Sequence, residues 1–199
     1  MGRNSQDSEK RAAGRPRDAA AERRILAIAL QLLAEQGYSR MTLDEVAQRA
    51  GVSKPTIYRR WKGKEDLATA ALRTLQLAEP QVNASTSRGA LVSILQNYRR
   101  SLLRPNGVAL IGTVLAEAHH TPELLRLFRR RVVAPRRRML REVLIRATAA
   151  GELRRGVNPA HAAHLLIGAF YAHYLQNPHI SPRYPEEVVN LVWNGIARP

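Results

Sequence analysis

Between Lys54 and Lys64 the chain carries five basic residues, Lys54, Arg59, Arg60, Lys62 and Lys64, and no acid. Tyr58 and Trp61 are interleaved with them, and Ser53 and Thr56 add hydroxyls at the leading edge. Ammonium and guanidinium groups donate to phosphate oxygens and to the acceptor edges of bases, and hydroxyls donate to phosphates. That is the chemistry of holding a polyanion, not of making or breaking a bond. In most chains a short run of charge is a solvated face. This one is set apart by the elements on either side of it.

Those elements are helices. From residue 19 onward nearly every segment repeats apolar residues at helical spacing. No stretch sustains the alternation of a strand, so an all-α chain of about nine helices is expected. The first covers 19–36, with Ile25, Ala29, Leu32 and Leu33 as its inward stripe, and Gly37 would end it. Thr42 and Glu45 have the capping-box pattern at the start of the second, and Met41 and Val46 stand where a hydrophobic staple would. Gly51 supplies the turn, and Ser53 would cap the third helix, with Pro55 tolerated in its first turn. The fourth follows Gly63, with Leu67, Ala71 and Leu75 inward.

After a break over 80–87, a fifth helix presents Leu91, Leu95, Tyr98 and Leu102, and Pro105-Asn106-Gly107 stops it. The sixth covers about 108–120. The seventh starts at Thr121-Pro122-Glu123 and runs to about 150, with a kink expected at Pro135. Asn158-Pro159 opens the eighth, to about 176, and Pro185-Glu186-Glu187 opens the ninth. The expected blocks are an arm (1–18), a three-helix helix-turn-helix domain (19–66) and a helical ligand-binding and dimerisation domain (67–199).

Residues 42–64 read TLDEVAQRAGVSKPTIYRRWKGK. Two short helices meet at Gly51-Val52-Ser53, Ala47 is small where they cross, and Val46, Val52 and Ile57 can share a core. This is a helix-turn-helix by geometry, a unit that lays its second helix in the major groove with that helix's N-terminal end near the bases. Residues 22–72 resemble the DNA-binding domain of the tetracycline-repressor (TetR) family. Glu35-Gln36-Gly37-Tyr38, Thr42, Val46-Ala47, Ala50-Gly51-Val52-Ser53, Thr56-Ile57-Tyr58-Arg59-Arg60-Trp61 and Lys64-Glu65-Asp66-Leu67 follow the family's order and spacing. The rest of the chain resembles the family only in being helical and of suitable length.

The resemblance implies a double-stranded DNA operator as partner. Thr42 would bind phosphate through its hydroxyl and the free backbone N–H groups. Ser53, Lys54 and Thr56 would lie at the groove floor, and Tyr58 and Lys64 would hold phosphates. Arg60 follows in the same cationic run, and Arg59 either reads a guanine edge or holds a phosphate. Trp61 and Tyr38 fit structural anchors better than DNA contacts. In Gly14-Arg15-Pro16-Arg17, Arg15 and Arg17 either enter a narrow minor groove or belong to a plain tail.

The resemblance also implies a small-molecule effector pocket among the later helices, with candidates Tyr98, Leu102, Leu115, His119, Met139, Val143, Phe170 and His173. It implies homodimer pairing through the last two helices, with candidates Ala162, Leu165, Gly168, Ala169, Ala172, Val189, Val192, Trp193 and Ile196. Eight arginines between Arg126 and Arg141 form a second cluster, either solvated or at the mouth of a pocket for an anion.

The 199 residues carry a formal net charge of +16. That favours a nucleic-acid partner, although only four of the 32 basic residues are Lys, as in a GC-rich genome. There is no Cys, which excludes disulfides and thiol chemistry. No signal-like run and no apolar stretch of about 18 residues is present, so a cytoplasmic protein, on the nucleoid when bound, is expected. No catalytic set, metal site or cofactor motif is legible; His161 and His164 are three apart but fit packing better than a metal. The expectation is a ligand-responsive transcriptional regulator, most simply a repressor of a palindromic operator. A non-specific architectural DNA-binding protein, or a helical enzyme or lipid carrier with a vestigial reader, are the alternatives.

Overall fold

The computed structural model describes residues 19–75, 84–105 and 107–198. Among them the chain is all-helical: α1 (Ala19–Arg40), α2 (Leu43–Ala50), α3 (Lys54–Tyr58), α4 (Lys64–Arg73), α5 (Ser87–Leu102), α6 (Gly107–Ala116), α7 (Pro122–Phe128), α8 (Ala134–Ala149), α9 (Pro159–Gln176) and α10 (Tyr184–Ile196). A π-helical turn, Arg129–Val133, joins α7 to α8, so the expected seventh helix runs on as one rod of three parts. The irregularity falls at the turn before Pro135. That residue has no N–H and its ring would crowd the carbonyl four residues back, so the chain widens there. The one β-bridge among the described residues pairs Leu153 with Ala197. No described helix is long and apolar enough to cross a membrane.

Two apolar clusters hold the fold. The first gathers Ile25, Leu32 and Leu33 of α1, Met41, Val46, Ile57, Trp61 and Leu67, all buried. It also takes in Leu110 and Val114 of α6, Leu124 and Phe128 of α7, and Val132. The second joins Leu91, Leu95 and Tyr98 of α5 to Leu140 and Leu144 of α8, Leu166 and Phe170 of α9, and Val189 of α10. Helix α1 therefore serves the helix-turn-helix on one side and α6 on another.

Helix α1 outlasts its expected end by one turn. Gly37 bends it at φ 81°, ψ 169°, a conformation confined to glycine, and the helical hydrogen bonding resumes to Arg40. Gly51 takes the left-handed conformation (φ 65°, ψ 39°) that the tight turn after α2 requires. The capping box is half formed. Thr42 Oγ1 accepts from the Glu45 N–H at 3.2 Å, but the Glu45 carboxylate does not reach back, because Gln36 (2.7 Å) and Arg49 (2.8 Å) hold it.

Candidate nucleic-acid interface

Helix α3 is five residues long and buries only Ile57. Together with Trp61 just beyond its end, that side chain clamps the short helix to the first core. The rest of α3 faces outward: Ser53, Lys54, Tyr58 and Arg59 are exposed and Thr56 is half-buried. The Ser53 hydroxyl does not cap the helix; it pairs with the Thr56 hydroxyl at 2.9 Å. Thr42 is exposed at the start of α2, on the same reading unit.

A carboxylate that the sequence did not single out organises this edge. The Lys54 ammonium donates to Asp44 Oδ2 at 2.5 Å and the Tyr58 hydroxyl to Asp44 Oδ1 at 3.4 Å. The hydrogen bond and the charge of Asp44 hold the Lys54 pKa above its ordinary value. An acid in the first turn of a helix reads as a partner of the helix dipole, which is why Asp44 carries no sequence signal for this second role. The Arg24 side chain, also not anticipated, ties α1 to the end of α2 by donating to the Ala50 carbonyl at 3.1 Å.

Lys64 donates to the Ser39 carbonyl at 3.0 Å, with its Nζ 4.6 Å from the centre of the Tyr38 ring. It pins the start of α4 to the end of α1 and stays half-exposed. Burial, and then the neighbouring Glu65 carboxylate, push the Tyr38 phenol pKa up.

Arg60 stands apart from that edge. Its side chain is 18% exposed and its Nη1 lies 3.6 Å from Glu22 of α1. It follows the helix's last residue by two, where the chain is already turning in toward Trp61, so its guanidinium points away from the exposed edge. Arg15 and Arg17 lie outside the described residues.

The expected effector residues are scattered. Leu115 and His119 are on the outer surface: Leu115 is on the exposed side of α6, next to the buried Val114, and His119 lies past the end of that helix at Ala116. Val143 and Phe170 are packed in the second core. His173 lies against Tyr184, 4.4 Å between ring centres, and its Nε2 is 3.1 Å from the His179 carbonyl oxygen. Tyr98 and Met139 line a narrow crevice. Leu102 lines a cavity of about 610 Å³ whose other wall is α1.

Among the expected pairing residues, Ala162 and Val189 are buried within the subunit and cannot form a face. Ala169, Val192, Trp193 and Ile196 are half-buried against the second core. Leu165 (62% exposed), Gly168, Ala172 and Leu175 (86%) fall at spacings of three, four and three along α9, an outward stripe, and Leu191 of α10 is exposed as well (78%). No group of three or more potential metal ligands gathers among the described residues.

Two short helices about a Gly51 turn, the second offering hydroxyls and cations to solvent, define a helix-turn-helix DNA-binding regulator. Known proteins place it further. Residues 25–71 match the model for bacterial regulatory proteins of the tetR family, and residues 84–192 match the tetracyclin repressor-like C-terminal domain. The chain belongs to the TetR family of transcriptional regulators.

It is 29% identical over 185 residues to the HTH-type transcriptional regulator YdeS of Bacillus subtilis, covering 92% of this chain and 93% of YdeS. Over 48 residues it is 54% identical to the DNA-binding transcriptional repressor TetR of Mycobacteroides abscessus, 24% of this chain and 25% of that one. The fold matches that of the transcriptional regulator FadR of Bacillus subtilis, solved in complex with stearoyl-CoA, with a TM-score of 0.71 at 20% identity. The match covers 87% of this chain and 98% of FadR.

Proposed function

We propose that the protein works as a homodimer that represses by occupying a palindromic operator and lets go when a small molecule binds its C-terminal helices. The observation that carries this reading is the outward edge of α3. Ser53, Lys54, Tyr58 and Arg59 face solvent while Ile57 and Trp61 fix the helix to the core. In the proposed complex Ser53, Lys54 and Thr56 meet base edges, Arg59 reads a guanine, and Thr42, Tyr58 and Lys64 hold phosphates. Arg15 and Arg17 add minor-groove contacts from the arm.

Two copies of α3 in a dimer would sit about 34 Å apart, one turn of DNA. The stripe of Leu165, Gly168, Ala172 and Leu175, together with the exposed Leu191 of α10, is the proposed pairing face, since exposed apolar surface of this kind calls for cover. The cavity beside α1 supports effector control, and FadR gives a precedent for the fold only. The division into a reader over 19–66 and an effector and pairing part over 67–199 belongs to the same reading, as does a place in the cytoplasm, on the nucleoid when DNA is bound.

The test is competition. Genomic fragments bound by the protein are selected, and the best is challenged with random-sequence DNA at moderate salt. A palindrome preferred by about a thousandfold supports the reading. Equal binding to all sequences replaces it with non-specific coating of DNA, and no DNA binding at all ends it. Deleting residues 1–17 should lower operator affinity and the salt slope; no change in either removes the arm from the proposal.

A further inference from the structure

The cavity of about 610 Å³ lies where the reader meets the rest of the chain. Its apolar walls come from Leu30 of α1, Leu102 at the end of α5, Leu110 and Ile111 of α6, Phe128 at the end of α7 and Val132 of the π turn. Its size is that of a pocket for a small organic molecule. Two arginines also line it, Arg104 just beyond α5 and Arg136 in the first turn of α8. Neither is in an ion pair among the described residues.

Arg136 is the telling one. Of the eight arginines in the cluster along α7, the π turn and α8, it alone is turned inward. Its guanidinium carbon lies 4.8 Å from the centre of the Tyr98 ring, a contact that seats the cation without neutralising it. The buried Tyr98 hydroxyl beneath has no hydrogen-bond partner among the described residues. Burial lowers the Arg136 pKa, and the Arg104 charge nearby acts in the same sense. A half-buried guanidinium beside a second one, with no carboxylate to answer it, is costly unless an anion joins them. The acid that does line the cavity, Glu35, is already held by Gln31 at 2.7 Å and Arg49 at 2.8 Å.

We propose that this cavity binds a small amphipathic anion, with its charged head at Arg136 and Arg104 and its apolar body against α1, α6 and Phe128. Such a ligand touches the reader directly. Gln31 and Glu35 of the cavity wall continue through Arg49 to Glu45, whose backbone N–H is the one that Thr42 caps. The consequence for DNA rests on the regulator reading above; the binding itself does not.

The experiment uses the full chain and three probes of one length: decanoate, decanol and decylamine, titrated by calorimetry. Decanoate should bind about tenfold or more tightly than either of the others, since a charge-assisted hydrogen bond in a half-buried site is worth at least that. Arg136→Gln should lose that margin and leave decanol unchanged, while Arg136→Lys keeps anion over amine. Ala27 is exposed at the cavity's edge on α1, so Ala27→Trp should fold normally and exclude all three probes. Equal affinities for the three probes, or decanoate binding that survives both Arg136→Gln and Ala27→Trp in variants melting like the parent, overturn the proposal. Operator binding is measured on the same samples. Intact DNA binding without anion preference sinks the cavity assignment alone, and anion binding by a chain that binds no DNA sinks the regulator reading alone.

Discussion

Replacing Asp44 by Asn should make the protein bind DNA more tightly. In the free protein Asp44 occupies two groups assigned to DNA, Lys54 at 2.5 Å and Tyr58 at 3.4 Å. A phosphate accepting from the Tyr58 hydroxyl, 3.4 Å from Asp44, would lie about 5 Å from the carboxylate. At the dielectric of water two like charges at that separation repel by about 0.8 kcal/mol. Screening at physiological salt roughly halves this, to about twofold in affinity per protomer. Two protomers on one operator multiply to about fourfold. The Asp44 carboxylate is about half exposed (47%) and its Lys54 partner more so, so the melting temperature should barely move. Fluorescence anisotropy with a labelled operator, run across salt concentrations, reads both the gain and its shrinkage as salt rises. Affinity that is unchanged or lower in Asp44→Asn would mean that Asp44 faces no phosphate, and the assignment of Lys54 and Tyr58 to DNA would fall with it.

Lys64→Ala should weaken binding to every DNA sequence alike and flatten the salt slope by about one per protomer, because a phosphate contact carries no sequence information; a change confined to sequence preference contradicts the role. Arg60→Ala, by contrast, should leave the salt slope where it is, since its guanidinium is turned to Glu22. Trp61→Ala should cost about 3–5 kcal/mol in urea unfolding, the usual loss for a buried aromatic, and a loss under about 1 kcal/mol would show that it does not anchor α3. Leu165→Glu with Leu191→Glu should give a monomer in analytical ultracentrifugation that melts like the parent, and a dimer that persists would move the pairing face elsewhere.

What the sequence disclosed and what it hid divide along one line. The reader was legible because its signals are local. A cap at Thr42, a glycine at the turn and a cluster of cations one helix long each act within a few residues of themselves. The exposed edge of α3 follows from Ile57 alone pointing in. The place of Arg60 was not legible because it sits past the last helical residue, where the direction of a side chain is set by the turn and by Glu22 thirty-eight positions earlier. The cavity was not legible for the same reason at larger scale. Apolar spacing says which residues of α5, α6 and α8 turn inward, but not that α1 closes the space between them. His119 falls outside because α6 stops at Ala116, four residues short of the expected end, while Leu115 is on the exposed side of the helix itself. Ala162 and Val189 belong to apolar stripes that serve the subunit's own core, and periodicity cannot separate those from an outward stripe one residue further round.

The proposed division at about residue 66 would be one of roles more than of packing. Helices α1 and α4 share their buried surface with α6 and α7, through Leu110, Val114, Leu124 and Phe128. Hydrogen bonds cross the same boundary, from the Thr113 hydroxyl to the Leu33 carbonyl at 2.9 Å and from the Ser39 hydroxyl to Glu117 at 3.0 Å. A close-packed junction of this kind transmits displacement and does not absorb it. Movement of α6 or α7 therefore carries α1, and with it α2 and α3, as one body. The edge of α3 keeps its shape while its position changes. For a single reader that alters nothing, because the same side chains still meet the same groove. For two readers on one duplex it alters the spacing between them, which is the variable a palindrome tests. On the proposed reading, control of DNA binding from the C-terminal helices would require the pair, and the small exposed residues and leucines of α9 and α10 would be as much a part of the switch as the cavity.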